Sequence, residues 1–134
     1  VTVDTGTILL GDVRARAAAA LAPVEADDPD VLFDVVDAVS PPALMLLWDD
    51  PWLEPESFGR DLWSASLMVL CLASRIDPAP GIVKLEQLVA YTLARLRADD
   101  YTWPAATVRA PRQFPIGNVT YLGAQVVYDV TVTT

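Results

Sequence analysis

The run "RDLWSASLMVLCLAS" alternates in a way that few folds can accommodate. Trp63, Ala65, Leu67, Val69 and Cys71 fall on one side of an extended chain. Leu62, Ser64, Ser66, Met68, Leu70 and Leu72 fall on the other, which turns from polar to apolar along its length. A strand that becomes apolar on both faces needs cover above and below as well as neighbours at both edges. This spacing therefore predicts a central strand of a sheet.

The rest of the chain supplies partners and cover for it. "ALMLLW", directly after Pro41 and Pro42, reads as a buried strand. The closing stretch "FPIGNVTYLGAQVVYDVTVTT" follows "ATVRAPRQ", and the two β-type runs meet at Gly117-Asn118, a pair suited to a tight hairpin turn. Two helices are expected. "ILLGDVRARAAAALAP" carries Leu9, Val13, Ala17, Ala20 and Leu21 at helical spacing and stops at Pro23. "IVKLEQLVAYTLARLRA" carries the stripe Ile82, Leu85, Val89, Leu93 and Leu96, with Lys84, Gln87, Tyr91 and Arg95 opposite, and ends at Asp99-Asp100. "VEADDPDVLFDVVDAVSPP" reads as a loop with one short helical turn, "DDPWLEPESFG" as a proline-rich loop, and "DPAPG" as a turn. The order predicts one α+β domain over residues 1–134, with a mainly antiparallel or mixed sheet, two helices packed against it and a C-terminal β-hairpin.

The inventory of reactive groups bounds the chemistry. There is no histidine among the 134 residues, which removes the commonest general base near neutral pH and the commonest transition-metal ligand. The one cysteine, Cys71, lies in the most hydrophobic strand, where a thiol is expected to be inert core. The acid pairs Asp27-Asp28, Asp49-Asp50 and Asp99-Asp100 lie in no calcium-loop pattern and read as loop and helix-end acids. No phosphate-binding, dinucleotide-binding or nucleophile-elbow motif occurs. The expectation is a protein that is no enzyme, with no catalytic, metal or cofactor residues.

Charge narrows the partners. The net charge of −9 is concentrated in residues 1–61, with 13 acids and 3 arginines, whereas residues 62–134 hold 5 acids and 6 bases. So acidic a chain is not drawn to nucleic acid through phosphates. The apolar runs fall short of the ~20 residues needed to span a bilayer, and "VTVDTGTILL" has no signal-peptide pattern. A soluble protein made in the cytoplasm is expected.

Contact surfaces are expected in two regions. Trp52, Leu53 and Phe58 sit among prolines and acids, where large apolar side chains on a stiffened loop suit either a protein contact or a loop folded back to cap its own core; of the two, the contact is expected. Arg109 and Arg112 flank Ala110-Pro111, and an internal proline confines a strand to an edge or a bulge. They are therefore expected to face a neighbouring subunit or partner and to meet carboxylates from the acidic half of the chain. In the final strand, residues 119–126 are expected to complete the sheet. Residues 127–134, with Val127, Asp129 and Thr131 on the second face, are expected to run toward a subunit boundary.

Four phrases together carry a likeness: "SPPALMLLWDDPWLEP", "GRDLWSASLMVLCLASRIDPAPG", "VKLEQLVAYTLARLRADDYTWP" and "FPIGNVTYLGAQVVYDVTV". Over roughly residues 40–134 the chain resembles the tail terminator proteins of long-tailed bacteriophages, in the versions found in phages of actinobacteria. The resemblance implies a structural virion protein of the tail and neck, without cofactor. Such a protein would form a homohexameric ring that caps the tail tube, ends its polymerisation and docks to the head connector. The partners implied are copies of itself, the major tail-tube protein and a head-tail connector or stopper protein. DNA would pass through the channel without specific binding, and no membrane is involved. Other neck proteins, connectors and stoppers, share this size and style. A small cytosolic module enclosing an apolar ligand, and an enzyme using buried carboxylates, are the readings from other classes.

Overall fold

A computed structural model describes residues 7–33, 39, 41–56, 62–75 and 78–133. In chain order these form β1 (Thr7–Leu9), a 3-10 turn (Leu10–Asp12), α1 (Val13–Leu21), β2 (Asp30–Leu32), β3 (Ala43–Pro55), β4 (Leu62–Arg75), α2 (Pro78–Arg97), β5 (Ala106–Val108), β6 (Arg112–Ile116) and β7 (Val119–Thr133). The chain is a single small α+β domain whose mixed sheet has the order β1-β7-β4-β3-β2, with β5 and β6 also paired to β7.

The two-sided strand is central, as its alternation demands: β4 runs antiparallel to β3 on one edge and to β7 on the other. β7 is the other hub. β4 accompanies it from Tyr121 to Thr133, while its opposite edge receives β6, then β5, then the parallel strand β1 in succession. The Gly117-Asn118 turn joins β6 to β7 with Ile116 paired to Val119, and Gly117 has φ 61°, a conformation that costs glycine little. Gly123 is needed for a different reason. A Cβ there would stand 2.8 Å from the Cys71 carbonyl oxygen and 2.9 Å from the Phe114 ring.

Both helices lie on one face of the sheet. Val13, Ala17 and Leu21 of α1 and Leu85, Leu88 and Leu96 of α2 pack with Leu44, Leu67, Val69, Cys71, Val126 and Val130. The second face has a smaller cluster, in which Tyr121 packs with Met45, Leu72, Ile116 and Val39. The Tyr121 hydroxyl accepts the Val39 N–H (3.1 Å) and donates to the Val39 carbonyl (3.0 Å), which ties Val39 to that face.

Several expectations are corrected. The "DDPWLEP" segment is no loop: β3 continues to Pro55, with an irregular register between Trp48 and Leu53. Pro51 and Pro55 are tolerated because β2 pairs with Ala43–Met45 and, among the described residues, no strand continues alongside the outer half of β3, which is therefore an edge. "DPAPG" is no turn, since α2 starts at Pro78, and prolines in a first helical turn lose only N–H groups that have no intrahelical acceptor. The acidic segment contains the short strand β2, and the helical turn expected there falls partly on residues 34–38, outside those described. "ATVRAPRQFPI" is two strands, interrupted around Pro111.

The division of β7 is also corrected. Residues 127–133 do not leave the sheet; they pair with β4 throughout and in part with β5 and β1. Val130 and Val132 are fully buried. Apolar alternation in those residues is spent within this domain.

Candidate protein interface

The expected contact residues fall into two groups. Trp52 lies on the edge half of β3, is 46% exposed, and leans on Trp48 with ring centroids 5.4 Å apart. Beside it is a hollow of about 310 Å³ lined by Leu10, Gly11, Arg14, Trp48 and Trp52. Asp50 and Glu54, next but one on either side along β3, are exposed. Leu53, in contrast, points inward and packs against the helix-side core. Phe58 lies outside the described residues.

The arginines meet partners within the chain. Arg109 makes a two-pronged bond to Asp49, with Nη2 to Oδ2 at 2.7 Å and Nη1 to Oδ1 at 3.2 Å, and Nη1 also donates to Gln125 Oε1 at 3.0 Å. Burial raises the Asp49 pKa, but the Arg109 hydrogen bond, the Asp50 backbone N–H and the Arg109 charge outweigh it, so the carboxyl sits below its ordinary value. Arg112 donates to Gln125 Oε1 at 3.4 Å and lies over the Phe114 ring. The acid expected for Arg109 on a neighbouring subunit is thus found on β3 of the same molecule. Val127 is buried between Met68 and Thr107 in the ladder, Thr131 is half-buried beside Ser64 and Thr7, and Asp129 is exposed and accepts the Ser66 hydroxyl at 2.6 Å.

The other acid pairs also serve the fold. Asp28 accepts the N–H groups of Glu25 (2.9 Å) and Val24 (2.8 Å), and these backbone bonds lower its pKa. Asp99 accepts the Trp103 indole N–H at 2.8 Å and lies 3.6 Å from Arg16 Nε. Among the described residues no group of three or more Cys, Asp or Glu is placed to hold a metal ion, and no helix is long and apolar enough to cross a membrane.

Comparison with known proteins returns no match, either to a family model or to a curated sequence.

One surface escaped the sequence reading. Between α2 and the β5–β6 edge runs an apolar groove, made of a hollow of about 400 Å³ and one of about 440 Å³ that share Leu93 and Val108. Ile82, Val89, Pro111 and Ala124 line the first, with Glu86 and Arg109; Trp103, Ala106 and Tyr128 line the second, with Arg97. A signal for it was present in the stripe on α2. The residues that the domain fully buries are Leu85, Leu88, Thr92 and Leu96, a face rotated from the expected one. Ile82 is 40% exposed, and Val89 and Leu93 are only half-buried. The apolar arc of α2 is wider than its own sheet can cover.

Proposed function

We propose that this chain is a structural virion subunit that forms a ring of six at the end of a bacteriophage tail tube, stops the tube's growth and joins the tail to the head connector. The observation that carries the reading is Trp52, a large, half-exposed aromatic ring on an acidic, proline-bearing edge strand, since tryptophan is enriched among the anchors of protein contacts. The α+β fold agrees with what the resemblance implies. Reactive groups serve the fold: Cys71 is fully buried, and Asp49, Asp28 and Asp99 hold backbone or side-chain partners. A net charge of −9 suits a channel wall past which DNA must slide without being gripped.

The test is solution mass with electron microscopy, alone and with the major tail-tube protein. Ring-sized particles, and tubes that stop lengthening once the protein is added, are the expected result. A protein that stays monomeric and leaves tube growth unchanged would overturn the proposal, and capture of the connector without any effect on tubes would favour another neck role. Trp52→Ala should keep the monomer's thermal midpoint while weakening the ring. The α2 groove favours one other reading, a small module binding an apolar ligand, which a ligand retained through purification would support.

A further inference from the structure

We propose that Trp52 of one copy of this chain docks into the groove between α2 and β5–β6 of the next, so that copies join head to tail. The inference rests on the self-assembly reading above and adds the two surfaces that meet.

The groove exists because the helical layer is incomplete. α1 takes one flank of α2: the Tyr91 hydroxyl donates to the Leu21 carbonyl at 2.9 Å, and Arg95 donates to the Ala22 carbonyl. The opposite flank, with Ile82, Val89 and Leu93, stands over β5 and β6 with no helix beside it among the described residues. Val108 adds a 42% exposed side chain to the floor. An unfilled apolar trough of about 400 Å³ is large enough for an indole and has few polar groups to desolvate.

Trp52 fits as occupant by shape, charge and position. Stacking on Trp48 limits its rotamers before contact, which lowers the entropy cost of docking. Its neighbours Asp50 and Glu54 are exposed acids, whereas the groove carries Arg97 and Arg109 against the single acid Glu86. Arg109 already holds Asp49, which leaves Arg97 as the cation best placed to meet the acidic collar. Strand addition at these edges is disfavoured, since Pro51 and Pro55 interrupt the N–H row on β3 and Pro111 and Pro115 do so around β6. Contact therefore falls to side chains.

Position decides the symmetry. Trp52 is on β3 and the groove is beside β5, with β4 and β7 between them. In a two-fold dimer each knob would have to meet the groove of the same partner whose knob it receives, which needs both surfaces on one face. Set at opposite edges of one sheet they instead meet two different neighbours, and the contact propagates from copy to copy until a ring closes.

The experiment mixes a Trp52→Cys variant with an isotope-labelled Val108→Cys variant and adds a short bismaleimide. The native Cys71 is fully buried and should not compete. Cross-links between the two variants should dominate over links within either, and Ile82→Cys in place of Val108→Cys should reproduce the pattern. Glu54→Cys supplies a second probe of the knob should Trp52→Cys fold poorly by circular dichroism. Trp52→Ala should weaken self-association roughly thirtyfold or more. Links confined to Trp52→Cys with itself, or no links at all, would overturn the inference. The mass of the wild-type particle separates the two claims. Rings without the mixed link leave the ring reading standing and remove this contact; the mixed link in open chains only does the reverse.

Discussion

Cys71 has no exposed surface, and burial pushes its thiol up to about 11, against the opposing effect of its 3.6 Å contact with Thr92. Tyr128 is pushed up to about 12, first by burial and then by the nearby Cys71, with Arg97 acting the other way. Both groups are held neutral by the fold, so unfolding releases protons once the pH passes their ordinary values of 9.0 and 10.0. Their stabilising contribution is whole below pH 9 and is lost as pH rises toward 11 and 12. Each group should account for about 1.4 kcal/mol per pH unit within its own window. The urea midpoint should therefore fall between pH 8 and pH 10.5, and Cys71→Ala should flatten that fall; an unchanged slope would remove Cys71 from the account. The Asp49–Arg109 bond acts at the opposite end of the scale. Because the Asp49 pKa is depressed, its contribution is present above the ordinary carboxyl value and lost as pH falls through the lower folded one. A double-mutant cycle with Asp49→Asn and Arg109→Gln should give a coupling of about 0.5–1 kcal/mol, since Arg109 is 44% exposed.

At the scale of elements, α2 separates residues that the stripe alone treats as equal. Leu88→Ala should cost about 2–5 kcal/mol by opening a cavity against the sheet. Ile82→Ala, at the exposed groove rim, should cost well under 1 kcal/mol in the monomer. Paired thermal melts of the two variants check this, and equal losses would place Ile82 in the core. β7 shows why register matters more than composition. Deletion of residues 129–134 removes Val130 and Val132 from the core and strips β1 of its partner. The shortened chain should lose its native circular dichroism rather than merely its assembly. Existence and type of the long elements were legible, because β4, β7 and α2 carry sustained periods. The continuation of β3 through "DDPWLEP" was not, because acids and prolines look alike on an edge strand and in a loop, and only pairing with β4 on one side alone, among the described residues, tells them apart. The start of α2 at Pro78 was hidden for a similar reason: proline marks both turns and first helical turns.

For the whole molecule, the candidate interface was half legible. Trp52 could be picked out because a tryptophan between prolines and acids has little local cover, but the groove that faces β5 depends on which flank α1 occupies, and no local pattern encodes that. For Arg109 an acid within the chain was hidden by sequence distance: Asp49 is 60 residues away in the chain and 2.7 Å away in space. The hub position of β7 has a further consequence, which concerns time rather than space. β7 is synthesised after every strand it joins, so β1, β5 and β6 have no partner, and β4 only one, until residues 119–133 have left the ribosome. A nascent chain must then leave the second edge of β4, a row of unpaired N–H and C=O groups beside apolar faces, open through the making of α2, which favours sequences that resist premature aggregation. Ribosome-stalled chains should stay sensitive to protease at every length short of β7 and become resistant in one step once it emerges. The acidity gathered in residues 1–61 is made before β4 and β7, and through like-charge repulsion it would keep those waiting chains apart.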